Sequence, residues 1–112
     1  VLKAMEADSG ISIKELRVDG GATVNNMLMQ FQADVLNTVT VRPKVIETTA
    51  MGAAFLAGLA VGYWKNPEEI QNIWQIDQYF NPTSERENIN KDIKGWYKAI
   101  NALEYWTKDK YL

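Results

Sequence analysis

Leu16-Arg17-Val18-Asp19-Gly20-Gly21-Ala22-Thr23-Val24-Asn25-Asn26 runs a strand into a helix through a double glycine. Without a Cβ at Gly20 and Gly21 the backbone can bend sharply, and a ligand can come close to the exposed N–H groups. The helix that follows offers unpaired donors and the positive end of its dipole to an anion. Asn25 stands four residues after Gly21, a spacing that predicts both on one helical face with the amide leaning back towards the N-terminal mouth. As a bare pattern, the double glycine fits a plain tight turn equally well.

Working outward, residues 1–9 read as a helix stopped by Gly10, and residues 13–18 as a strand in which Leu16 and Val18 share a face. The helix opened by the double glycine extends to about Leu36. In it Val24, Leu28, Phe31 and Val35 recur at helical spacing, which predicts a core-facing stripe opposite Gln30 and Asp34. Val39-Thr40-Val41-Arg42 alternates as a strand that Pro43 ends, because proline has no donor for the ladder. The next helix, about Thr49 to Gly62, carries a smooth stripe (Ala50, Ala54, Gly58, Gly62) and a bulky one (Met51, Phe55, Leu59). The smooth stripe predicts tight packing of this helix on a sheet, with Met51 and Gly52 near enough to the helix N-terminus to lie beside a ligand bound there.

Asn66-Pro67-Glu68-Glu69 combines an N-cap, a first-turn proline and acids that suit the helix dipole, and predicts a short helix to Trp74. Gln75 to Phe80 reads as extended, and Ser84 with Glu87 as the capping box of a last helix. Along that helix Ile89, Ile93, Trp96, Ile100 and Leu103 form an apolar face, and Trp96 and Trp106 read as docking residues. Strands alternating with helices imply right-handed crossovers in a layered α/β sheet. Ligands of such sheets bind beyond the carboxyl ends of the strands, where the double glycine sits.

The 112 residues suit one domain or a piece of one, large enough to bury most of its apolar surface. An opening at Val1, already inside a helical pattern, reads as a piece of a longer protein. Twelve basic and 14 acidic residues give a net charge of −2 without any charged block, which argues against nucleic acid or an anionic membrane as partner. Cysteine and histidine are both absent, so thiol nucleophiles, imidazole bases and the commonest zinc ligands are excluded. The uncharged run from Thr48 to Tyr63 is shorter than the ~20 residues that cross a bilayer. Absence of cysteine is compatible with a cytoplasmic location.

Two phosphate-binding patterns fail on spacing: the dinucleotide fingerprint needs G-x-G-x-x-G, and the P-loop needs G-x-x-x-x-G-K followed by Ser or Thr. What the turn does match becomes visible when it is joined to Asn26-Met27-Leu28-Met29-Gln30-Phe31-Gln32-Ala33-Asp34-Val35-Leu36, Arg42-Pro43, Glu47 and Thr49-Ala50-Met51-Gly52-Ala53-Ala54-Phe55-Leu56-Ala57-Gly58-Leu59-Ala60-Val61-Gly62. This set closely resembles the C-terminal domain of the FGGY carbohydrate kinase family, most densely from Leu16 to Trp64. The resemblance implies a partial ribonuclease H-like (actin-like ATPase) domain, with residues 1–112 forming the C-terminal part of the nucleotide-binding domain of a two-domain kinase. It implies that Gly20 holds the turn, that the backbone of Gly21 approaches ATP or ADP, and that Asn25 contacts the adenosine part.

The same resemblance places the catalytic aspartate in a motif this chain lacks, and Mg2+ ligands outside it, so no catalytic residue is expected here. Asp19 is a tempting base or magnesium ligand, but its expected role is to accept hydrogen bonds from the turn. Asp19-Gly20-Gly21, Asn25-Asn26 and Met29-Gln30-Phe31-Gln32 look like the branch of the family that phosphorylates glycerol, because sugar kinases more often carry a third glycine for Asp19 and serine for Asn25. Glycerol itself would be bound through the other domain, and this chain would not phosphorylate anything alone. Family members form dimers or tetramers, which implies a homo-oligomeric whole enzyme. Some bacterial members carry basic residues leading into the last helix, where a phosphotransferase-system protein docks; Ile89-Asn90-Lys91-Asp92 departs from that, so this regulation is not implied. The alternatives are an FGGY kinase for another polyol or sugar, and a non-catalytic nucleotide-binding or assembly domain.

Overall fold

The computed structural model describes residues 1–83 and 85–108 of the chain. Helix α1 (Leu2–Ser9) ends where Gly10 turns left-handed at φ 69° and returns its N–H to the Glu6 carbonyl. Strand β1 (Glu15–Arg17) leads into a 3-10 turn (Gly21–Val24), helix α2 (Asn26–Leu36) and strand β2 (Val39–Pro43). Helices α3 (Thr48–Ala60) and α4 (Pro67–Gln71) precede strand β3 (Ile76–Phe80), and α5 spans Arg86–Lys108. The chain divides into two compact units, Val1–Pro82 and Thr83–Leu112.

The sheet order is β1-β2-β3, with β1 and β2 parallel and β3 antiparallel to β2. Parallel strands need a crossover, and α2 supplies it. Pro43 lies within β2 rather than beyond it, but the ladder is irregular between Arg42 and Pro43, as a residue without an N–H requires. Central β2 is covered on both faces: Thr40 and Val41 are adjacent, point to opposite sides and are both fully buried. The Thr40 hydroxyl has no hydrogen-bond partner among the described residues.

The buried cluster is small. Met29 and Ala33 of α2 meet Phe80 of β3, with Val18 packed against them. This corrects the stripe expected on α2: Leu28 and Phe31 are 41% and 48% exposed, and Val24 is more exposed still. The buried face lies one residue along, so Asp34 is inside, where it accepts a hydrogen bond from Gln30 at 3.1 Å. Gln30 also donates to the Asn81 carbonyl at 2.8 Å, tying α2 to the end of β3. A polar pair at the helix edge has displaced two apolar residues that helical spacing alone would bury. Most large apolar residues among those described are half-buried or exposed, against the expectation of a mostly buried apolar surface.

Helix α3 also departs from its expectation. Ala50, Ala54 and Gly62 of the smooth stripe are exposed, and only Gly58 is covered. What covers it is Trp64, held edge-on by Phe55 and Tyr63 at ring separations of 5.3 and 4.8 Å. Helix α4 begins as expected: Asn66 Oδ1 accepts from Glu69 N–H at 3.1 Å, and Glu69 Oε2 accepts from Lys65 N–H at 2.9 Å. It stops at Gln71, short of Trp74, whose ring instead carries the Arg17 guanidinium 4.3 Å above its centre. In α5 no described residue is buried, and Trp96 and Trp106 are 64% and 62% exposed. Ser84 and its capping box lie outside the described residues.

Candidate functional site

The turn after β1 is anchored from behind at successive residues. Val18 N–H extends the sheet pairing to the Val41 carbonyl at 3.1 Å. Asp19 Oδ2 accepts from the Thr48 hydroxyl at the start of α3. That corrects its expected role, since its partner belongs to another helix and not to the turn. Gly20 N–H donates to the Ile46 carbonyl at 2.8 Å. The Gly20 carbonyl is taken by Thr23, whose N–H and hydroxyl donate to it at 3.1 and 2.7 Å. Thr23 is buried and Gly20 half-buried, so this pair of hydrogen bonds is partly shielded from water.

Gly20 adopts φ 85° and ψ 166°, a region essentially restricted to glycine. Gly21 has no positive φ, and a Cβ built on it would meet nothing within 4 Å. No contact inside this chain therefore requires glycine at position 21. Gly21 and Ala22 are exposed, and their N–H groups have no backbone partner among the described residues.

The expected single helix from the double glycine to Leu36 is interrupted. Asn25, at φ −79° and ψ 102°, closes the 3-10 turn and starts α2. Gly21 and Asn25 therefore do not share the face of one continuous helix. Asn25 caps α2 by accepting from Leu28 N–H at 3.1 Å. With that oxygen engaged and the residue exposed, its amide NH2 is the part left for a ligand, with no partner among the described residues. Gly20, Gly21 and Asn25 lie along one short turn, Gly20 half-buried and the other two exposed, even though the helical argument for it fails. Met51 is not part of this turn; it lines an apolar cavity of about 60 Å³ with Pro43, Lys44, Val45, Ile73, Trp74 and Gln75. Gly52 is half-buried, with nothing within 4 Å of an added Cβ.

Sequence reasoning gave Arg42 no role. In the structure its guanidinium donates to the Thr23 carbonyl at 2.7 Å, Asn26 Oδ1 at 2.8 Å, Asp77 Oδ2 at 2.8 Å and Gln78 Oε1 at 3.1 Å. Its side chain is only 11% exposed. A cation at the end of a central strand, beside a proline that breaks the ladder, was the available signal: burial there demands partners.

The described residues contain no group of three or more His, Cys, Asp or Glu side chains able to hold a metal. Among them, no helix is long and apolar enough to cross a membrane.

An edge strand thus leads through a glycine turn anchored from behind into a capped helix. Residues 1–61 match the model for the C-terminal domain of the FGGY family of carbohydrate kinases, and the chain belongs to that family. It is 59% identical over 110 residues to a glycerol kinase of Chromobacterium violaceum and 58% identical over 109 residues to one of Burkholderia vietnamiensis. These alignments cover 98% and 97% of this chain but only 22% of each relative. Among solved structures, the Plasmodium falciparum glycerol kinase with ADP superposes with a TM-score of 0.73 at 32% identity, over 89% of this chain and 20% of the other. A ligand-bound xylulose kinase from Lactobacillus acidophilus superposes with a TM-score of 0.67 at 25% identity, over 81% of this chain and 19% of the other. The α/β, ribonuclease H-like fold expected from the sequence is thereby the fold of the chain.

Proposed function

We propose that the whole protein carrying this chain transfers the γ-phosphoryl group of ATP to glycerol, giving glycerol 3-phosphate in the cytoplasm, and that residues 1–112 are the C-terminal part of its nucleotide-binding domain. The observation that carries this reading is the 59% identity to a glycerol kinase along 98% of the chain. The exposed turn supports it. Gly20 sets the bend, Gly21 offers an unencumbered backbone to the phosphates, and the Asn25 amide nitrogen reaches the adenosine part. Phosphoryl transfer depends mainly on positioning and on neutralising charge, and such a turn contributes positioning.

Magnesium accompanies phosphoryl transfer in this family, but the carboxylates described here do not gather into a metal site. We assign its ligands, the base that deprotonates glycerol and the polyol-binding residues to the remainder of the protein. The test is an assay of the full-length protein coupling ADP release to added glycerol. Glycerol-dependent ADP formation is expected; its absence refutes the assignment. The likeness to a xylulose kinase supports a second reading, phosphorylation of another polyol or a sugar. A substrate panel on the same protein separates the two.

A further inference from the structure

We infer that Arg42 is a positioning residue for nucleotide binding: it does not touch the ligand but fixes the backbone that does. This inference rests on the nucleotide reading given above. Arginine has five donors in a planar fork, and here four acceptors on three elements use it. Thr23 belongs to the 3-10 turn, Asn26 opens α2, and Asp77 and Gln78 lie on β3. The Phe80 ring lies 5.3 Å from the guanidinium carbon and closes the other side. The fork therefore references the turn to the paired strands β2 and β3.

The linkage is direct. Arg42 holds the Thr23 carbonyl at 2.7 Å, and Thr23 holds the Gly20 carbonyl through both its N–H and its hydroxyl. Pulling these two carbonyls inward leaves the N–H groups of Gly21 and Ala22 as the exposed backbone of the turn. The bond to Asn26 fixes the residue after Asn25, so the same cation holds the start of α2 on which the Asn25 amide is mounted. Lysine keeps the charge but has three donors at a single point, and it cannot reach the turn, α2 and β3 together.

The test uses the full-length protein with Arg42→Gln, Arg42→Lys and Asp77→Ala. For Arg42→Gln, ATP KM and ADP Kd are expected to rise by about tenfold, the factor one charge-assisted hydrogen bond carries, while the KM for the phosphoryl acceptor stays within twofold. Arg42→Lys is expected to recover only part of the loss. Asp77→Ala removes the fork's ion-pair partner at a half-exposed site, and a severalfold rise in ATP KM is expected even if the Arg42 variants do not fold. Unchanged nucleotide parameters in Arg42→Gln or Asp77→Ala, or a parallel weakening of both substrates, overturn the inference. A wild-type protein that binds no ADP removes the nucleotide reading itself, which titration of the parent protein alone reveals.

Discussion

Replacing Gly20 and Gly21 separately by alanine distinguishes a glycine the chain itself requires from one only a ligand would require. At Gly20 the backbone sits at φ 85° and ψ 166°, and an L residue held there costs about 1–3 kcal/mol. A Cβ would meet nothing within 4 Å, so the whole penalty is backbone strain. The turn can relieve it only by moving, which would break the 2.8 Å bond from Gly20 N–H to Ile46 at a cost of about 1 kcal/mol. The cheaper route sets the loss, so Gly20→Ala is expected to destabilise by about 1 kcal/mol. In a domain of 150–250 residues that lowers Tm by roughly 2–4 °C. Gly21 has neither a positive φ nor a close neighbour, and Gly21→Ala is expected to stay within about 0.5 kcal/mol of wild type. If Gly21 carries the nucleotide as proposed, the added methyl group would narrow the approach to that backbone and weaken ADP binding. Thermal unfolding of the full-length variants without nucleotide, followed by calorimetric titration with ADP, reads both effects. Unfolding of Gly20→Ala at the wild-type temperature refutes the strain argument, and wild-type ADP affinity in Gly21→Ala refutes the assignment of the turn.

Gly58→Ala would drive a Cβ into the Trp64 ring at Cζ3 and Cε3. Overpacking of about 1–3 kcal/mol, offset by about 1 kcal/mol of helix propensity, predicts a lowered Tm and no such penalty when Trp64→Ala is already present. Thr40→Val removes a fully buried hydroxyl without a partner and is expected to raise the urea midpoint by up to about 1 kcal/mol of stability; a lowered midpoint contradicts this. Asp19→Asn keeps an oxygen able to accept from Thr48, so kcat of the full-length protein is expected to remain within about tenfold of wild type. A fall of about 10²–10⁴, the contribution of a general base, makes Asp19 catalytic.

Much of the fold was legible because local chemistry decided it. Gly10 ended α1, Asn66 and Pro67 started α4, and the alternation at Val39–Arg42 marked the central strand. The misreadings lie where long-range contacts outweigh periodicity. Leu28 and Phe31 have the spacing of a core stripe, but α2 is turned by the Gln30–Asp34–Asn81 bonds so that Met29 and Ala33 meet Phe80. Trp64 is four residues past the end of α3 and folds back onto Gly58, an event no helical stripe announces. At the site, the residue types and the turn were readable. The break at Asn25 was not, because a 3-10 turn and an α-helix share nearly the same spacing. The partners of Arg42 were illegible for a different reason: its four acceptors come from positions 23, 26, 77 and 78, and only the folded sheet brings them together.

The turn is held on its inner side and bare on its outer side, and this asymmetry is a mechanical requirement for binding by backbone. A glycine pair alone is a flexible hinge, and ordering it on binding would subtract about 1–2 kcal/mol per residue from affinity. Here the ordering is done during folding. The strained conformation of Gly20, costing about 1–3 kcal/mol, is opposed by its own bond to Ile46, the double bond from Thr23 and the Arg42 bond to the Thr23 carbonyl. Each contributes about 1 kcal/mol and the charge-assisted one more, enough together to hold the strain without a ligand. The turn is therefore shaped before anything binds to it. Loss of any one of these anchors should weaken ligand binding more than it weakens the fold, because the sheet and α2 have their own apolar cluster at Met29, Ala33 and Phe80, whereas the described contacts of the turn are hydrogen bonds.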